Sequence, residues 1–164
     1  MLRARTSAKK GFTLLELVIV VVIIGIIAAI AIPRMSKGSA GAADSALAGD
    51  LAVLRSAIDL FAAEHDGKYP TLAKIADQLT QYTDGTITSA TGTVRDSTHP
   101  YGPYVRAIPS IPVGPNKGAA TFTGTAPPGT DATAAWYYNE TTGEIKANLK
   151  DTEVDIAKVP YSAY

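Results

Sequence analysis

The sequence predicts an α+β chain. A long N-terminal helix, membrane-spanning in its first half and amphipathic in its second, packs on a small antiparallel β-sheet with a long loop region. Three observations predict this. Residues 12–32 form an apolar run broken by one charge, Glu16. Leu47, Leu51, Leu54, Ile58 and Phe61 form a stripe at helical spacing. Residues 134–139 and 144–149 read as two strands joined by a turn.

The apolar run comes first. About 21 helical residues reach roughly 31 Å, and a bilayer's hydrocarbon core is about 30 Å thick. Residues 17–32 carry no polar side chain. Arg3, Arg5, Lys9 and Lys10 precede the run, while Arg34 and Lys37 follow it. The positive-inside rule then places the N-terminus in the cytoplasm and the bulk of the chain outside. A secretory signal has a shorter apolar region, about 7–15 residues, and no A-x-A-like cleavage site clearly ends this run. A plain signal anchor fits the hydropathy. It does not explain Glu16, because a carboxylate within a membrane helix is expensive and marks a function.

The residues around the start of the run, Lys9-Lys10-Gly11-Phe12-Thr13-Leu14-Leu15-Glu16, resemble the processing site of type IV pilins and of the pseudopilins of type II secretion. The resemblance implies that a membrane-embedded prepilin peptidase cuts between Gly11 and Phe12 and N-methylates Phe12. Residues 1–11 are then a leader peptide, and the mature chain keeps 153 of the 164 residues. The resemblance also implies a helical filament, an inner-membrane assembly platform and minor pilins as partners. Glu16 lies one helical turn after Phe12, on nearly the same face. In a filament its carboxylate can pair with the Phe12 amine of a neighbour and set subunit register. Pro33 also matches a family position. It removes a backbone donor and crowds the carbonyl four residues earlier, and Gly25 adds a weak point. A soft region near residues 30–33 is expected: continuous in lipid, partly unwound on packing into a filament.

Beyond the run, residues 12–33 give way to a head, 34–164. Residues 36–43 are small and flexible in composition. The stripe from Leu47 to Phe61 then defines an amphipathic helix beginning near Asp44 or Ser45. It ends at His65-Asp66-Gly67, where glycine suits a C-cap. Gly67-Lys68-Tyr69-Pro70 is similar to the Gly-x-Tyr-Pro that follows the long helix in pseudopilins. Thr71 can cap a short helix carrying Leu72, Ile75, Leu79 and Tyr82, and Asp84-Gly85 marks a turn. Residues 86–133 are rich in Pro, Gly and Thr. They read as a long loop with strand pieces near 104–108 and 121–123. The hairpin follows, with a four-residue connection over Glu140-Thr141-Thr142-Gly143. Its Trp-Tyr-Tyr-Asn-x-x-x-Gly-x-Ile is similar to a recurring pseudopilin segment. Trp136 and Tyr138 are expected to face the helical stripe, and Tyr137 the other side.

Little in the chain suggests catalysis. It has no cysteine, so disulfides and thiolate metal sites are excluded. His65 and His99 lack metal-ligand spacing, and no phosphate loop follows a strand. The expectation is a protein without catalytic residues. Four of the 15 basic side chains precede Gly11; the remaining 11 face 15 acids, a net charge of −4. That balance disfavours nucleic-acid binding. Asp151, Glu153 and Asp155 place three carboxylates on alternate residues, and calcium takes six to eight oxygen ligands. The resemblance implies a calcium loop near the C-terminus, but these residues do not align with it position by position. A solvated acidic turn is the competing expectation.

The expected function is that of a structural subunit of a pilus-like filament, foremost a major-type pseudopilin of type II secretion in the inner membrane. A type IV pilin of a surface pilus, serving adhesion, motility or DNA uptake, is the alternative. A monomeric membrane-anchored binding domain using the 86–133 loop is a third.

Overall fold

The computed structural model describes residues 11–86, 91–127 and 133–164. Two compact units emerge, Met1–Ser39 and Ala40–Tyr164. The leader expected at residues 1–11 lies outside the described residues except for Gly11.

Helix α1 spans Leu14–Glu64 and accounts for 51 residues. In the first unit its segment Leu14–Ala31 is long and apolar enough to cross a membrane, and none of it is buried. Leu14, Leu15, Ile19 and Ile27 each leave half or more of their surface open. An 18-residue run of this kind is stable in water only when something apolar covers it.

α1 differs from expectation in continuity. The helical assignment runs through Pro33 and through the small residues 38–43 without a break. Proline's fixed φ is compatible with a helix, and its cost is one lost donor and one crowded carbonyl. Alanine, at positions 40, 42 and 43, is the best helix former. No separate helix therefore begins at Asp44 or Ser45. The C-terminal end is as expected. Gly67, at φ +76°, donates its N–H to the Ala62 carbonyl at 2.8 Å, closing the last turn.

In the second unit the predicted stripe is the core. Leu47, Leu51, Leu54, Ile58 and Phe61 are each at most 1% exposed. Burying each contributes about 1.5–3 kcal/mol. They meet Ile111, Trp136, Tyr138, Ile145 and Leu149 in one cluster. Helix α2, Ile75–Thr80, adds Ile75 and Leu79. It starts later than a cap at Thr71 would place it. The Thr71 N–H instead binds Gln78 Oε1 at 2.9 Å.

Among the described residues five short strands follow: β1 Tyr82–Thr83, β2 Thr91–Gly92, β3 Phe122–Thr123, β4 Trp136–Tyr138 and β5 Ile145–Ala147. The hairpin is present, with Tyr138 opposite Ile145 and Trp136 opposite Ala147. Gly143, at φ +72°, closes its turn, with its N–H on the Asn139 carbonyl at 2.8 Å. Tyr69 packs where a Cβ on Gly143 would sit, so only glycine fits. Trp136 and Tyr138 join the core, and their polar ends donate to the carbonyls of Pro109 (3.0 Å) and Pro70 (2.8 Å). Tyr137 is buried but lies outside the core cluster.

The sheet differs from expectation in sense. β3 pairs with β4 in parallel, so the three-stranded sheet is mixed rather than antiparallel. β1 and β2 form a separate antiparallel pair. The strand expected at 104–108 is absent. Tyr104 and Val105 instead donate their N–H groups to the Leu79 carbonyl at the end of α2.

Candidate processing and assembly site

The site is built on the first turn of α1. Gly11, Phe12 and Thr13 precede the helix and have no regular structure. Phe12 is 86% exposed, and nothing crowds Gly11. The Gly11–Phe12 bond thus lies outside regular structure beside an exposed side chain, a setting in which proteolytic nicking concentrates.

Thr13 and Glu16 then lock the helix start reciprocally. Glu16 Oε2 accepts from the Thr13 N–H at 2.9 Å and from the Thr13 hydroxyl at 2.8 Å. The Glu16 N–H donates to Thr13 Oγ1 at 3.2 Å. This is a capping box, satisfying two backbone donors that a helix leaves open. All three bonds use Oε2 or the backbone; Oε1 has no partner among the described residues. Glu16 thus holds its rotamer with one oxygen while the other stays available. Thr-x-x-Glu before an apolar run is the sequence signature of such a box. The spacing between Phe12 and Glu16 alone does not point to Thr13.

Pro33, expected to be a soft point, lies within α1. Its place at residue 33 follows directly after the exposed apolar segment.

The three tail carboxylates are dispersed among local donors. Asp151 Oδ1 accepts from the Ser162 hydroxyl at 2.6 Å, and Glu153 Oε2 from the Lys150 N–H at 3.0 Å. Asp155 accepts from the Val159 N–H at 2.8 Å and the Tyr164 hydroxyl at 2.6 Å. The Tyr164 hydroxyl, first, and the backbone donors hold Asp155 below the usual carboxylate range. Among the described residues no group of three or more His, Cys, Asp and Glu could hold a metal ion.

A further carboxylate organises the tail, and its role is not legible in sequence. Asp44 is 8% exposed. It accepts from the Tyr161 hydroxyl at 2.5 Å and from the Ile156 N–H at 3.1 Å, tying α1 to residues 112 and 117 positions later. Burial, then the Asp44 contact, pushes the Tyr161 phenol above its ordinary value.

Residues 6–32 match the family described as the prokaryotic N-terminal methylation motif. This is the prepilin-type signal found in type IV pilins and pseudopilins, and the match covers 27 of the 164 residues. The motif implies processing by a prepilin peptidase and a structural rather than a catalytic role. No curated protein and no solved structure matches the chain significantly.

Proposed function

We propose that this chain is a major-type pseudopilin of a type II secretion machine. It waits in the inner membrane with its N-terminus in the cytoplasm. It is cut between Gly11 and Phe12, methylated on Phe12, and assembled into a periplasmic filament that pushes exported proteins outward. The observation that carries this reading is the methylation motif over residues 6–32, which includes an unburied apolar helical segment at Leu14–Ala31. A chain with an uncovered, membrane-length apolar helical segment of 18 residues, charged only at Glu16, has two places to put it, lipid and the core of an assembly. A filament subunit uses both in turn.

Glu16 supplies register. On insertion scales an acid at the centre of a membrane helix costs about 2.5–3.5 kcal/mol, and less near the helix end. Pairing of its open oxygen with the Phe12 amine of a neighbour removes that cost only in the assembled state. Glu16→Ala should therefore leave cleavage and head stability intact and abolish efficient filament assembly. Full assembly by this variant would remove Glu16 from the account.

Secretion and surface-pilus roles separate in a strain lacking this chain. The secretion role predicts that exported proteins accumulate in the periplasm while surface fibres are unchanged. Loss of long retractable surface fibres with normal export would establish the alternative.

A further inference from the structure

The outward face of α1 in the head has the wrong chemistry for water. A helix that packs one face on a core normally carries charges on the other. Here Ala42, Ala46, Gly49, Val53, Ser56 and Leu60 are all exposed and uncharged, with the exposed charges of this stretch set beside them at Arg55 and Asp59 or at the helix end at Glu64. Val53 and Leu60 leave 52% and 51% of their surface open. Between them lies a groove of about 350 Å³ that also involves Ala52, Ser56 and Tyr104. Asp50 sits at its edge, three residues before Val53 and so on the same side of the helix. It is half-buried and has no side-chain partner among the described residues. Burial alone raises its carboxyl above the ordinary value.

A second uncovered apolar surface lies on the C-terminal tail. Val154 bridges Pro160, and the Asp155 N–H binds the Val159 carbonyl at 2.9 Å, forming a tight turn. Ile156, whose Cδ1 lies beside Gly41 of α1, is still 66% exposed, and Val159 is 42% exposed. Lys158 stands between them at φ +67°, exposed, its ammonium unpartnered among the described residues.

These two surfaces cannot meet within one chain. The tail is tied to α1 at Asp44. Asp50 is six residues further on, about 9 Å along the axis and rotated by roughly 240°. We propose that the tail turn of one copy docks in the α1 groove of a second copy, with Ile156 and Val159 covering Val53 and Leu60 and Lys158 pairing with Asp50. The occupant is another copy because each surface supplies what the other lacks: apolar cover, and a cation for a desolvated anion. Two different patches on one chain make a heterologous contact, which propagates as an open helix rather than closing into a dimer. The inference rests on the filament-subunit proposal and adds to it a contact in the head, independent of the N-terminal helix.

Charge exchange in cells that assemble the filament tests it. Asp50→Lys and Lys158→Asp each place like charges together and should reduce filament yield about tenfold. Aspartate is tolerated at the positive φ of residue 158. The double variant should return to within about twofold of wild type, since coupled neighbours are not additive. A double variant no better than the singles, or singles that assemble normally, overturns the contact. The cysteine-free chain allows a second readout. Val53→Cys and Ile156→Cys on separate, co-expressed copies should give a disulfide-linked dimer seen with neither copy alone. Wild-type filaments without that mixed dimer would likewise overturn it. A wild-type chain that forms no filament at all would instead overturn the filament proposal, and this inference with it.

Discussion

Asp44 shows how one residue can organise the head. Its two oxygens fix a phenol and a backbone N–H of the tail, and the phenol would be left without this partner in a buried setting. Asp44→Ala should cost about 1–3 kcal/mol, measured by denaturant unfolding of the detergent-solubilised chain. A change well under 1 kcal/mol would mean that water replaces the carboxylate at no cost. Tyr161 adds a pH dependence. Its phenol is raised by burial and by Asp44, so the folded state holds this proton more tightly than the unfolded chain. The contribution is fully present below about pH 10, the unfolded value. It is lost as pH rises through the raised folded value. Melting temperature should therefore fall in alkali, and less steeply in Tyr161→Phe. Tyr104 and Tyr138 shift in the same direction, each mainly through burial, so the variant weakens the slope without removing it. None of this is legible in sequence, where Asp44 reads as a helix start. Contacts spanning more than 110 residues leave no local pattern.

Local patterns were legible at the scale of the element. The stripe from Leu47 to Phe61 repeats with the helical period, and the helix buries all five residues. The strands around Trp136 and Ile145 announce themselves by aromatic content and a turn ending in Gly143. Elements set by competition were harder to read. Residues 33–43 contain proline and glycine at 33, 38 and 41, which argue for a break, yet the alanines among them sustain the helix. β3 lies parallel to β4 through a long connection, a pairing with no sequence period. The strand expected at 104–108 gave way to hydrogen bonds with the end of α2. The stripe also carries a quantitative prediction. Leu54→Ala removes a fully buried side chain facing the sheet and should cost about 2–5 kcal/mol. A loss below 1 kcal/mol would show that α1 is not the wall of this core.

At the scale of the whole molecule, the chain separates anchoring from display. The first unit offers apolar surface to lipid or to other helices, while the second is a head with its own core. The methylation motif was legible because it is written in contiguous residues: a glycine, an exposed phenylalanine, and an acid one turn later. Thr13 completes the same short segment by fixing the Glu16 side chain. The head's proposed contact between copies needed the structure, since Asp50 and Lys158 are linked only by what each lacks. The central claim is that Gly11–Phe12 is a processing junction from which an assembly-competent subunit is made. Intact-mass and N-terminal peptide mass spectrometry of the protein extracted from membranes of cells containing the peptidase tests it directly. Processing at this junction gives a chain of 153 residues beginning with N-methylated Phe12. A chain that still begins at Met1 would contradict it.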